Sequence, residues 1–189
     1  IYMGAWAANY NAQRWAFSLH DKCIVLEDDS TPSLTFFPFC KELLDRYEKD
    51  QRIAMIAGFN HEGTTPSPYD YMFTSVMPVW GWASWRRVVG QWDGAYRVVD
   101  DKTSMRQLEN LVRSRQNGWK EMLKKMRRHK QAGHPIYETV LWSYMTLNSQ
   151  LTIVPTRNMI QNNAVSSESA HFQTSLRTLP KRMQQLLRS

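Results

Sequence analysis

Three carboxylates in succession, Glu27, Asp28 and Asp29, follow four apolar residues in "CIVLEDDSTP". The chain carries 24 Lys and Arg against 17 Asp and Glu, a net +7, so a gathering of anions at one point needs a cause. Adjacent carboxylates repel, and a divalent cation set between them and a second anion relieves the repulsion. Mg²⁺ and Mn²⁺ prefer carboxylate oxygen and commonly join one or two carboxylates to a diphosphate. Such an ion neutralises the charge that develops on a departing nucleotide diphosphate. The plainer alternative is that the triplet opens a solvated loop and caps the next helix.

The elements that must position these acids follow from periodicity. Ala5, Ala8, Ala12, Trp15, Ala16 and Leu19 recur at three- and four-residue spacing, which predicts a helix over 3–20. Cys23–Leu26 is short, wholly apolar and bounded by charge, the pattern of a strand covered on both faces as in a parallel sheet. The carboxylates then stand beyond the carboxyl end of that strand, where open α/β sheets bind ligands. After a turn at Ser30–Pro32, Ser33 is placed to cap a helix running to Asp50. That helix should turn Phe36, Phe37, Cys40, Leu43, Leu44 and Tyr47 inward.

"IAMIAGF", Ile53–Phe59, reads as the next strand, and Asn60–Asp70 as a loop rich in Gly, Pro, Ser and Thr. A short strand from Tyr71, a turn around Pro78–Gly81 and a helix from Ala83 are expected next. Helices over Thr103–Gln116, Trp119–Gln131 and "YETVLWSYMTLNSQ" precede a strand "LTIVPT", and the chain turns polar beyond Arg157. The alternation predicts an α/β fold.

Composition bounds the rest. A chain of 189 residues with 42% hydrophobic and 12% aromatic residues fits one domain with a core of its own. The expected division is a domain over 1–172 and a basic tail or helix over 173–189. Eight tryptophans supply flat surfaces for packing or for stacking on a ligand. Two cysteines, Cys23 and Cys40, read as buried thiols of a reduced compartment. No apolar stretch reaches the roughly 18 residues of a membrane span.

"IVLEDDSTPSLTFFPFCKELLDRY" together with "VWGWASWRRVVGQWD" resembles the GT-A-fold glycosyltransferases. The likeness is particularly to bacterial sugar transferases related to family 2 and to the eukaryotic N-acetylglucosaminyltransferase I group, which carry an E-D-D form of the D-x-D motif at a strand end. The resemblance spans 8–171. It implies a GT-A fold, with a mostly parallel central sheet flanked by helices. It also implies transfer of a sugar, with inversion, from a nucleotide-diphosphate donor such as a UDP-sugar to a glycan or lipid-linked saccharide, with Mn²⁺ or Mg²⁺ as cofactor.

By motif, Asp29 would bind the metal, Glu27 and Asp28 would face the ribose and donor sugar, and Trp82 in "PVWGWASW" would line the sugar pocket with Trp80 and Trp85. The alternative for each tryptophan is ordinary core packing. An inverting transfer needs a base for the acceptor hydroxyl, and Glu138 in "HPIYETVLWSYM" has the family's place for it. Members more often have Asp there, and a dipole-stabilised acid at a helix start explains the position equally well. His171 in "SSESAHF" would complete the metal or diphosphate site, and Arg157 could pair with phosphate.

A GT-A domain opens with a strand and helix that hold the nucleotide base, whereas here only a helix precedes the acidic strand. The expectation is therefore that the opening portion lies upstream of Ile1, or that this pocket is lost. The second case would leave a catalytically inert domain that binds glycan or a partner protein.

A phosphatase-like D-x-D-x-T reading fails at its first position, which Glu27 occupies in place of the nucleophilic Asp. Arg113, Arg115, Lys120, Lys124, Lys125, Arg127, Arg128 and Lys130 face the single acid Glu121 over 113–130. Such a run is a solvated helix face, or one that grips anionic lipid or nucleic acid. It lacks a nucleic-acid docking motif, so the expected partner is an anionic membrane surface. The expected location is the cytoplasm, with peripheral contact at the inner face of the membrane.

Overall fold

The computed structural model describes residues 5–113 and 119–162. Its elements in order are α1 (Ala5–Leu19), β1 (Lys22–Val25), β2 (Ser30–Pro32), α2 (Phe36–Arg46), β3 (Ile53–Ala57), β4 (Tyr71–Thr74) and β5 (Trp82–Trp85). There follow α3 (Arg86–Val89), a 3₁₀ turn (Arg97–Val99), α4 (Lys102–Arg113), α5 (Trp119–Ala132), α6 (Tyr137–Leu147), β6 (Leu151–Pro155) and β7 (Ile160–Asn162). Two compact units share the chain. The first comprises the residues up to Cys23 and Trp85–Leu151, and the second comprises Ile24–Ser84 and the residues from Thr152.

The second unit is built around a five-stranded sheet in the order β1-β5-β3-β6-β4, with a two-stranded ribbon of β2 and β7. All five residues of β3 are buried. On α2, Phe36, Cys40, Leu43 and Leu44 fall at i, i+4, i+7 and i+8, one face that packs on β3. Burial pushes the Cys40 thiol up to about 12. Both cysteines are free, with Cys40 buried and Cys23 half-buried.

The structure corrects several expectations. The fold is α/β with helices flanking the sheet, but the sheet is mixed. Of its four neighbouring pairs, β3–β5 and β4–β6 are antiparallel. β1 is an edge strand, half-buried along its whole length rather than covered on both faces; a short apolar run does not by itself distinguish centre from edge. The helix expected from Ala83 is instead β5, fully buried, and only Arg86–Val89 is helical. Two tryptophans in a four-residue segment suit a pleated surface covered on both faces. Phe37 is 42% exposed, since it lies about 100° round the helix from Phe36. Ser33 does not cap α2. Its carbonyl accepts the Phe36 N–H at 3.1 Å and its hydroxyl meets Thr35 Oγ1 at 2.9 Å.

The first unit is helical. α1 packs on α3 and α6, and the Arg14 guanidinium donates to the carbonyls of Val89 (2.7 Å) and Gly90 (2.8 Å) at the end of α3. Tyr10, Trp92 and Tyr137 stack in series, with ring centres 6.0 and 6.4 Å apart, so that α1 is tied to α6 through an aromatic column. The Asp101 carboxylate accepts the N–H groups of Thr103 (3.3 Å) and Ser104 (2.8 Å), a cap for α4. Among the described residues no helix is long and apolar enough to cross a membrane.

Candidate functional site

The acidic triplet forms a turn directly after β1, closed by the Ser30 N–H donating to the Glu27 carbonyl at 3.1 Å. Asp28 is exposed, while Glu27 and Asp29 are half-buried. The Ser30 hydroxyl lies 3.4 Å from Asp29 Oδ1, a long contact that leaves the carboxylate most of its accepting capacity.

What fixes the turn is the strand that follows it. β2 pairs antiparallel with β7, Ser30 opposite Asn162 and Pro32 opposite Ile160, and the Ser33 N–H donates to the Met159 carbonyl at 2.8 Å. The Met159 N–H in turn donates to Gly58 O (2.9 Å), and the Gly58 N–H to Gly81 O (2.8 Å). This backbone ladder needs both glycines. A Cβ on Gly58 would sit 2.6 Å from Ile160 Cγ1 and from a Phe36 ring carbon. One on Gly81 would sit 2.5 Å from Ile160 Cδ1, and Gly81 also has φ +62. Ile160, 2% exposed, is the peg that fills the space.

The Cβ position of Gly81 is 3.3 Å from Leu26 Cδ2, so Gly81 packs beside the residue that precedes the acids. Trp80 is half-buried and packs edge-on to Phe59 at 4.6 Å, and Phe59 packs edge-on to His61 at 5.2 Å. Trp82, expected to line a sugar pocket, is 0% exposed, and Trp85 is buried beneath the Arg87 guanidinium. Both are core residues of β5, and Trp80 alone of the three keeps an exposed face.

Among the described residues no group of three His, Cys, Asp or Glu converges to hold a metal ion. An ion held at this turn would need oxygen ligands from outside it, such as a diphosphate and water. His171 lies outside the described residues.

Glu138 belongs to the first unit, half-buried in the first turn of α6, where the helix dipole favours a carboxylate. A network that the sequence did not announce fixes this turn. The Tyr96 hydroxyl accepts the Ile136 N–H at 2.9 Å and lies 2.7 Å from Thr139 Oγ1 and 3.2 Å from Ile136 O. Thr139 Oγ1 also meets Ile136 O and His129 Nδ1, each at 3.0 Å. Burial pushes the Tyr96 phenol above its usual range, the bonds from Thr139 and Ile136 pull it back, and the charge of Glu138 adds to the rise. Tyr96 is 1% exposed and holds φ +50, a strained value for a residue with a side chain. Its separation of some forty residues from Ile136 and Thr139 is why no motif reveals it.

Comparison with protein-family models finds none that matches the chain, and comparison with curated proteins finds no significant match.

Proposed function

We propose that this chain is a metal-dependent glycosyltransferase domain of the GT-A type, using a nucleotide-diphosphate sugar as donor and a glycan or lipid-linked saccharide as acceptor. The observation that carries the reading is the acidic turn Glu27–Asp28–Asp29, which stands beyond the end of β1 and is braced from behind by the β2–β7 ribbon. A braced turn presents its carboxylates without first having to be ordered, which favours binding.

In this reading Asp29 holds Mn²⁺ or Mg²⁺, Glu27 and Asp28 orient the donor, and the exposed face of Trp80 stacks on a sugar ring. The ion would supply charge neutralisation for the leaving diphosphate. As the acceptor oxygen bonds to the anomeric carbon, the bond from that carbon to the diphosphate oxygen breaks, and the hydroxyl proton passes to Glu138. The role of Glu138 rests on the resemblance alone.

A second reading, an inert domain of the same fold that binds glycan or a partner, is favoured by the lack of a convergent metal cluster among the described residues. Calorimetric titration of UDP with and without Mn²⁺, on the native chain and on Asp29→Asn, tests the first. Binding that needs both the metal and Asp29 supports it, and turnover of UDP-sugars then separates active from inert. Absence of binding in every combination, or binding indifferent to Mn²⁺ and Asp29, overturns it.

A further inference from the structure

The charge of this protein is not spread over its surface. Between residues 102 and 132 stand ten Lys and Arg against Glu109 and Glu121, leaving fourteen basic against fifteen acidic residues in the rest of the chain. The segment of α4 and α5 therefore carries +8 and the rest of the chain −1.

On α5 the inward face is Leu123 and Met126, and the outward face carries Lys120, Lys124, Lys125, Arg127 and Arg128, all exposed. Lys120, Lys124 and Arg128 follow one another at four-residue spacing, so like charges are stacked along one side of the helix, an arrangement that costs stability. Compensation is partial, and Lys130 at the end of the helix pairs with Asp100. Glu121 reaches Lys124 at 3.7 Å, Glu109 reaches Arg127 at 3.9 Å, and Lys125 and Arg128 have no acidic partner among the described residues. The neighbouring His129 registers the resulting field. After burial, the charges of Arg128 and Lys125 are what hold its imidazole below its usual range.

We propose that this face of α5 docks on an anionic phospholipid surface. Three features favour lipid over nucleic acid. α5 packs against both α4 and α6, so it does not protrude as a helix must to enter a groove. Its described outward side chains include no aromatic ring on which a base could stack. A row of flexible lysines and arginines without a fixed pocket suits the diffuse negative potential of a bilayer, which each basic group near the surface reads additively. This inference is independent of the glycosyltransferase reading, since it needs neither nucleotide nor metal.

The test is cosedimentation of the protein with vesicles of phosphatidylcholine alone and of equal parts phosphatidylcholine and phosphatidylserine, at low and high salt. Binding is expected on the anionic vesicles only, weakened by salt. The triple variant Lys124→Gln, Lys125→Gln, Arg128→Gln should lower partition about a hundredfold, from roughly fivefold per charge. The variant Lys41→Gln, Lys49→Gln, Arg52→Gln removes the same charge elsewhere and should change partition by no more than about threefold. Circular dichroism checks that both variants fold. Negligible sedimentation with both vesicles, or equal losses in the two variants, overturns the proposal. So does tight salt-sensitive binding to an oligonucleotide without binding to anionic vesicles, which would make the face a nucleic-acid surface.

Discussion

Replacing Tyr96 by Phe removes one oxygen and keeps the ring, the burial and the left-handed backbone, so the cost isolates the hydroxyl. That oxygen is the acceptor for the Ile136 N–H at 2.9 Å and lies 2.7 Å from Thr139 Oγ1. Thr139 retains Ile136 O and His129, each at 3.0 Å, so the main loss is the acceptor for one partly buried amide. Leaving such a group unsatisfied costs about 1–3 kcal/mol, with ~2 kcal/mol the central expectation here. For a chain of this size that corresponds to a melting temperature lowered by about 4–8 °C. Differential scanning calorimetry measures the shift, and hydrogen exchange at the amides of the first turn of α6 measures where it acts. Thr139→Val should cost less, about 1 kcal/mol, because Tyr96 still holds the amide. The two substitutions together should be less than additive. A melting temperature within about 1 °C of the native one, with α6 exchange unchanged, would refute the claim that Tyr96 anchors the turn bearing Glu138.

Two further outcomes are expected. Gly58→Ala drives a methyl into Ile160 and Phe36 and should cost about 1–3 kcal/mol. Gly81→Ala meets the same Ile160 at φ +62 and should cost about 1 kcal/mol more, so urea midpoints that rank the two the other way would contradict the packing described. His129 has its pKa held below 6.5 by burial and then by Arg128 and Lys125, so the unfolded chain takes up this proton first as the pH falls. Its contribution to stability is therefore complete above pH 6.5 and is lost as the pH drops through the lowered value. His129→Gln should flatten that part of a stability profile taken from pH 8 to 5, and an unchanged slope would remove the effect.

The sequence made the helices and the acidic turn legible because both are local. The four-residue spacing of Phe36, Cys40 and Leu44 locates α2, and the carboxylates after Val25 locate the turn. What it hid depends on distant partners. Whether Ile24 and Val25 lie at the centre or edge of a sheet is decided by β5, almost sixty residues on. For Trp82 and Trp85 the sequence leaves ligand surface and core packing both open, because a W-x-x-W spacing does not state which side the pleat will bury. Phe37 stands next to Phe36 in the sequence, but helix geometry turns it about 100° away from the buried face. The Tyr96, Thr139 and His129 network has no signature in composition or spacing, since each residue is ordinary until the chain returns to it.

The discontinuity of the two units bears on how the protein is made. β6 lies between β3 and β4 in the sheet, and β7 is the partner of β2, although about 130 residues separate Ser30 from Asn162. At roughly 5–20 residues per second on the ribosome, β2 emerges many seconds before the strand that will brace it. During that interval the strands from β1 to β5 have open edges where β6 and β7 belong, and the acidic turn has no support behind it. The candidate site thus cannot take its shape until Asn162 has been synthesised, and a nascent chain stalled after α6 would expose unpaired strand edges to its neighbours and to chaperones.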